Sequence, residues 1–450
     1  MKKTVLMLNV SETSRDPRVR RVSRSLAANG FEVIALSPTY ESSERRSQVD
    51  NFEIRRFDGP RRVDVKAMAQ LESASPEAAG IVDAILLPLA KGGYSRTERT
   101  RREIHRVGQR TLRRARKLTG HTFSMLGRLV SLFGDEDESE YMKLRSMVLT
   151  NLEMYRAGQH LRADVIHAND LNSLLAGLML KRRHGAKLVY DAHEIYPEQF
   201  PTHERTEIWH GFFTALEDVL IREADGRMTV CDSLGTYFQN RYATKPFLTV
   251  RNVPSIRFQP SESILLRRSS PRVALYHGMF FKNRGLENVV LSARHLRSGR
   301  IILRGLGYHE AELRRLASAP EVRDRVTIAP AVPVDELVAT ASECDIGLNP
   351  FPSACLNTEY ALPNKHFEYM MAGLAVASSD LVELRRLTQE LSNGALFPSI
   401  EPEAIAETLE ALIARPDELD EQRRRSYDAA KREYHWEMEE QRLLSYYREL

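Results

Sequence analysis

A chain of 450 residues, 42% apolar and 28% charged, is long enough for two or three domains with ample core and is ordinary for a folded globular protein. A net charge of +4 dictates no polyanionic partner, and Cys231, Cys344 and Cys355 show neither metal spacing nor a disulfide framework, as expected of a reducing cytoplasm. No window offers the roughly 18 uninterrupted apolar residues of a membrane span, and MKKTVLMLNV turns polar too soon for a signal peptide.

Strand-like and helix-like segments alternate through most of the chain. Thr4–Leu8 reads as a buried strand. Asp16–Asn29 reads as a helix, with Val19, Val22 and Leu26 at helical spacing and Gly30 as its stop. Phe31–Leu36 is the next strand. From about Arg61 to Asn151 the alternation breaks down, which predicts a mostly helical insertion. Strand Asp164–His167, helix Leu171–His184, strands Lys187–Tyr190 and Arg227–Val230, and helix Asp232–Arg241 follow. The proline- and serine-rich stretch 253–271 reads as a linker. A second series then opens at Val273–His277. It continues through Arg300–Arg304, Arg325–Ile328, Cys344–Leu348 and Leu374–Ala377. Two successive βα series predict an α/β protein with two doubly wound parallel sheets.

The most informative segment is LPNKHFEYMMAGLAVASSD, Leu362–Asp380. Pro363 suits a first helical turn, Asn364–Met371 reads as a short helix, and Gly373 is its C-terminal stop. The first-turn amides of Asn364 and Lys365, with the lysine beside them, form an anion site. Glu368 lies one turn later on the same side, where a carboxylate suits the vicinal hydroxyls of a ribose. A nucleoside diphosphate with its ribose on Glu368 is the physical reading. Tyr276-His277-Gly278 ends the first strand of this half, and Lys282 and Arg284 bracket the loop before the next helix, a second anion site. Gly305, in Gly305-Leu306-Gly307, follows the second strand as a loop over a nucleotide. In the first half, ligands of a doubly wound sheet bind at its carboxyl edge. Asp170 and His193 fall at strand ends there, and Asp16 and Arg18 at the start of the helix after the first strand. Asp16 and Asp170 also read as helix N-caps.

These residues resemble the retaining GT-B glycosyltransferases of family 4, the family of bacterial polysaccharide and glycolipid assembly. The resemblance covers the first ~60 residues and everything from about 160 onward. Its signature is two glutamates separated by seven residues. Glu368 matches the second; Tyr360 occupies the place of the first, with Glu359 one residue early. Asp16–Arg21, DPRVRR, and VYDAHEIYPEQF are similar to a branch of that family. The resemblance implies a GT-B fold, two Rossmann-like domains facing a cleft with a helical insertion in the first. It implies acceptor binding in 1–252, nucleotide-sugar binding in 272–433 and a closing helix, 434–450, returning toward the first domain.

On this resemblance a sugar passes from a nucleotide diphosphate to a hydroxyl acceptor with retention of configuration. His193 orients the sugar. Arg284 stands for the family's lysine as the pyrophosphate ligand, with Lys282 beside it, and Met279 replaces the usual arginine. Asp16, Arg18 and Asp170 lie on the acceptor side. No cofactor and no metal are expected. Two other readings stay open: a nucleotide-sugar epimerase of the same fold, and a catalytically inactive scaffold.

Two stretches of the insertion are weighed separately. Asp135-Glu136-Asp137 sits in an acidic run with no flanking strand and reads as solvated charge. Tyr94–Arg128 carries ten arginines, one lysine and two glutamates. It lacks aromatics for stacking on bases, which argues against nucleic acid. The apolar Phe123, Leu126, Leu129 and Phe133 follow. A basic then apolar helix over 94–133 is expected on an anionic membrane, peripheral to the inner face, beside a lipid-linked acceptor.

Overall fold

The computed structural model describes residues 2–39, 45–59, 74–82, 138–201, 206–266 and 270–450. The chain forms two compact units, Met1–Thr249 with Leu444–Leu450, and Val250–Leu443. The stretch 94–133 and the acidic triplet 135–137 lie outside the described residues.

The first unit opens with β1 (Thr4–Leu8), α1 (Pro17–Ala28) and β2 (Glu32–Thr39). All five β1 residues are buried, as a parallel strand covered on both faces requires. Helix α1 starts where the sequence places it. Pro17 takes its first position, and the Asp16 carboxylate accepts from the amides of Arg18 and Val19. Its Val19, Val22 and Leu26 are fully buried. Strands β3 (Arg46–Val49) and β4 (Phe52–Asp58) follow as an antiparallel pair. Then come α2 (Glu138–Gly158), β5 (Val165–Asn169), α3 (Leu171–His184), β6 (Lys187–Ala192), α4 (Glu207–Leu220), β7 (Gly226–Thr229), α5 (Asp232–Tyr242) and β8 (Leu248–Thr249). The sheet order is β3-β4-β2-β1-β5-β6-β7-β8. Every pairing but β3–β4 is parallel.

The second unit is built from β9 (Val273–Met279), α6 (Leu286–Ser292), β10 (Arg300–Leu306), α7 (Glu310–Ala317), β11 (Val326–Pro330), α8 (Leu337–Ala341), β12 (Ile346–Asn349), α9 (Leu356–Glu359), α10 (Asn364–Met371), β13 (Ala375–Ser379), α11 (Val382–Leu391), β14 (Gly394–Phe397), α12 (Pro402–Ile413) and α13 (Pro416–Arg432). Its sheet is parallel throughout, in the order β11-β10-β9-β12-β13-β14. In each unit the strand order reverses beside the first strand, β1 or β9. That reversal opens a crevice at the carboxyl edge, the usual ligand position of such sheets. The Asn9–Asp16 loop and the Phe280–Gly285 loop leave from these two points.

The stretch read as a linker is not an open tether. It forms turns at Ile256–Phe258 and Glu262–Leu266. Tyr427 donates to the Pro260 carbonyl at 2.7 Å, Arg423 donates to the Ile264 carbonyl at 3.0 Å, and Leu265 is buried. Its prolines shape turns that pack on the second unit, to which the stretch belongs by its contacts. The final helix is α14 (Trp436–Glu449); Leu444–Leu450 group with the first unit and the residues before them with the second. No described helix is long and apolar enough to cross a membrane.

The amino edge of the second sheet is held by buried charge. Arg272 donates to Asp345 at 2.8 Å and to Asp420 at 3.0 Å, while Asp345 also accepts the Val273 amide at 2.8 Å. Fully buried Arg423 adds bonds to the Gly373 and Ile264 carbonyls and lies 3.9 Å from Asp345. Asp345→Ala leaves two buried guanidinium groups short of a partner. It is expected to cost about 3–5 kcal/mol, read as a lower urea midpoint for the full-length protein. A wild-type midpoint would refute the pairing argument.

Candidate active site

In the first unit four charged side chains meet at the carboxyl ends of β5 and β6. Arg18, on the first turn of α1, reaches Asp191 with two nitrogens, at 2.8 and 2.7 Å, both side chains being buried. This is the bidentate geometry that makes an arginine–carboxylate pair strong. The Nε2 of buried His167 lies 3.3 Å from Asp191 Oδ2, and its Nδ1 bonds to the hydroxyl of Tyr447. His193 sits between two carboxylates. Its Nδ1 is 3.1 Å from Asp170 Oδ2 and its Nε2 is 3.2 Å from Asp191 Oδ2. The second is an ionic contact whose angle falls short of a hydrogen bond. The backbone N–H of His193 also donates to Asp170 Oδ1 at 2.9 Å.

A ring with a carboxylate facing each nitrogen has acceptors on both sides, so both nitrogens carry protons. Burial opposes that charge, but Asp170 and Asp191 outweigh it and raise His193 to about 10. Asp191 is held well below the usual carboxylate range: burial works against its charge, and Arg18 and His193 overcome it. Asp170 itself has φ +59°, a left-handed backbone that a non-glycine residue adopts at a cost. That conformation lets its amide donate to the Asp191 carbonyl at 2.9 Å while its carboxylate meets His193. Asp170 makes no N-cap bond to α3.

In the second unit, α10 begins at Asn364 after Pro363, and no side chain caps its first turn. Asn364 is exposed. The Lys365 ammonium lies over the Tyr276 ring at 4.6 Å and the Phe351 ring at 5.0 Å, and the Arg284 guanidinium shares Phe351 at 5.2 Å. Burial, then the charge of Arg284, lowers Lys365 to about 7 against the pull of Glu368. Two cations stand here with one carboxylate, Glu368, acting on the lysine, an excess of positive charge that an anion completes.

Small residues make room for it. A Cβ on Gly278 would stand 3.2 Å from Lys365 Nζ, and one on Gly305 would stand 1.9 Å from the Gly278 carbonyl oxygen. Gly285, with φ +71°, would place a Cβ 2.0 Å from the Pro350 carbonyl oxygen, so the turn carrying Arg284 admits only glycine there. One turn along α10, Glu368 accepts from His277 Nε2 at 2.7 Å. Lys282 is exposed on the preceding turn, where its backbone N–H donates to the Tyr308 hydroxyl at 3.3 Å. Glu359 accepts from Ser353 at 3.0 Å, at the end of the four-residue α9, and Tyr360 follows it.

Within each unit the structure therefore gathers most residues singled out from the sequence. Arg18, Asp170 and His193 converge, and Asp16 caps the helix that carries Arg18. Arg284, Lys365, Gly305 and Glu368 occupy one sheet edge. Sequence reasoning set Asp191, His167, Tyr276 and His277 at strand ends but gave no role to Asp191, the hub of the first cluster, to its partner His167, or to His277 beside Glu368, and it missed the Phe351 ring. The one available signal was positional, since Asp191 and His277 both stand at the carboxyl ends of strands.

The sequence profile described as glycosyl transferase 4-like domain matches residues 16–252, more than half of the chain. The chain belongs to this glycosyltransferase family. The profile described as glycosyl transferases group 1 matches residues 271–415. No curated protein matches the glycosyltransferase by sequence. Among solved structures it is similar to sucrose-phosphate synthase from Thermosynechococcus elongatus, with a TM-score of 0.66 and 16% identity over 100% of this chain and 99% of that one. It is similar to HepE from Anabaena, solved in complex with UDP, with a TM-score of 0.62 and 12% identity over 100% of both chains. A glycosyltransferase from Rickettsia africae gives a TM-score of 0.58 and 9% identity over 100% of this chain and 98% of that one. At these identities the likeness establishes the fold, which is GT-B.

The doubly flanked ring has a measurable consequence. Side-chain NMR of histidine-labelled glycosyltransferase, assigned with His193→Gln, is expected to show His193 protonated at pH 8 and titrating near pH 10. The folded-state value lies above the unfolded one. Its stabilisation is therefore complete below about pH 6.5 and is lost as pH rises through about 10. The stability gap between wild type and His193→Gln shrinks over that window. A His193 midpoint near 6.5 contradicts the sandwich.

Proposed function

We propose that the enzyme transfers a sugar from a nucleoside-diphosphate sugar to a hydroxyl of a lipid-linked saccharide or glycan precursor, with retention of configuration. The observation that carries this reading is the pair of crowded cations, Arg284 and Lys365, one helical turn from Glu368. A diphosphate supplies the missing negative charge, and a carboxylate one turn away suits the ribose next to it. HepE, of the same fold, was solved with UDP-glucose, which supports the choice of donor class.

In the reaction the bond between the anomeric carbon and the phosphate oxygen breaks, and its electron pair leaves with the diphosphate. Arg284 and Lys365 stabilise that growing charge, together with the first amides of α10. The acceptor oxygen bonds to the same face of the anomeric carbon, and its proton passes to the departing phosphate. In this reading His193, carrying charge between Asp170 and Asp191, orients the sugar. Asp16 and Asp170 serve the acceptor side directly, and Arg18 serves it by holding Asp191. Neutralisation of the diphosphate is assigned to side chains, with no metal in the scheme.

The test is turnover of a panel of UDP-, GDP- and ADP-sugars with undecaprenyl-type lipid acceptors. Arg284→Ala is expected to lower turnover on the order of 100-fold, as for loss of a transition-state charge stabiliser. Glu368→Ala is expected to weaken donor binding by about 1.5–3 kcal/mol. Lys365 offers a separate readout. Its value near 7 rises when an anion arrives, so nucleoside diphosphate binding at pH 7.5 takes up a fraction of a proton. Calorimetric heats then depend on buffer ionisation enthalpy in the wild type and not in Lys365→Met. Buffer-independent heats in the wild type would remove Lys365 from the diphosphate.

The lipid-linked acceptor rests on the basic and apolar stretch 94–133. Full-length protein is expected to sediment with vesicles containing anionic lipid, with only part of the binding released at high salt, since salt screens the basic half and not the apolar one. Deletion of 94–133 is expected to abolish it. Equal sedimentation of the two proteins would point to a soluble acceptor.

A further inference from the structure

We infer that His277 positions the carboxylate of Glu368 for a ribose and thereby gives the second unit a preference for ribonucleotides over 2′-deoxyribonucleotides. The inference rests on the ribose assignment of Glu368 made above. His277 lies near the carboxyl end of β9 and is 2% exposed. Its Nε2 stands 2.7 Å from Glu368 Oε2. An ionised carboxylate only accepts, so this nitrogen carries the proton. The ring is fixed from behind. The His277 backbone N–H donates to the Tyr369 hydroxyl at 3.1 Å, that hydroxyl donates to the Leu348 carbonyl at 3.2 Å, and the two rings lie 4.7 Å apart.

Burying an imidazole costs free energy unless its polar atoms are satisfied. The Nδ1 of His277 is buried without a hydrogen-bond partner among the described residues. A phenylalanine would fill the same space without leaving that atom unsatisfied. What the histidine alone supplies is the N–H aimed at Glu368. That N–H matters because Lys365, one helical turn back, also attracts the carboxylate. Held by His277, Glu368 keeps a fixed direction instead of following the lysine. A carboxylate offers about four acceptor sites, and the bond from His277 occupies one of them, so an oriented Glu368 can still meet vicinal hydroxyls. A 2′-deoxyribose presents one hydroxyl fewer to the same oriented group. His277 touches no substrate in this scheme and acts through Glu368, as a positioning residue.

The experiment is calorimetric titration of the full-length protein with UDP, GDP and ADP. The tightest of the three is then compared with its 2′-deoxy counterpart, and melting temperature reports folding. Wild type is expected to prefer the ribonucleotide about tenfold or more, the weight of one hydrogen bond to a charged group. His277→Phe is expected to bind both forms equally and weakly. His277→Gln, whose amide N–H can reach the carboxylate, is expected to keep most of the preference. If His277→Phe does not fold, His277→Asn, whose amide falls short, is expected to lose the preference instead. A preference retained in His277→Phe or His277→Asn but lost in Glu368→Ala overturns the role of His277 and leaves the ribose assignment standing. A preference retained in Glu368→Ala, or no diphosphate bound by wild type, overturns the ribose assignment itself.

Discussion

A charge removed from water must meet its opposite, and this constraint organises both units of the protein. In the first, Asp191 is fully buried at the end of a central strand. It is tolerable only because Arg18 grips it with two nitrogens and His193 and His167 stand beside it. Asp170 then balances His193 from the other side, at the expense of a left-handed backbone. Two carboxylates and two cations make a set with no net charge. Removing any one member leaves the set with a net charge. In the second unit the same rule holds at the amino edge of the sheet, where Arg272, Arg423, Asp345 and Asp420 close on one another.

At the carboxyl edge of the second sheet the rule is left incomplete, and function is read from that. Arg284 and Lys365 share one aromatic ring, and the lysine gives up part of its affinity for a proton. A purely structural cluster would have placed a carboxylate between them. Glu368, one turn along α10, is bonded to His277. Parallel sheets make such an edge available because the loops that leave the strand ends, and the helix starts that follow, carry amides without partners. Glycines at 278, 285 and 305 keep the backbone close enough for the cations to meet.

Much of this architecture was legible along the chain. Apolar runs of parallel-strand type and helical spacing located most central strands and helices, and α10 begins and ends where Pro363 and Gly373 place it. The antiparallel pair β3–β4 was missed. Its exposed face alternates with buried Phe52, Ile54 and Phe57, a weak signal over seven residues. The edge strand β14, four residues long and only partly buried, was missed for a similar reason: an edge needs fewer apolar residues than a centre. The stretch 253–271 read as a linker because proline and serine mark turns whether or not a turn is packed.

Local chemistry therefore determined what the chain alone could show: the two βα series, the caps and stops of α1 and α10, the glycine at each sharp turn, and the residues fit to meet an anion. These depend on neighbours a few positions away, which the sequence displays directly. Tertiary structure decided which charges became partners. Arg18 and Asp191 are 173 residues apart, and His277 and Glu368 are 91 apart. Parallel strands separated by crossovers bring such positions together through sheet order, and nothing in the local pattern specifies which strand end will face which. For that reason the roles of Asp191 and His277, each defined by its partners, emerged only from the fold.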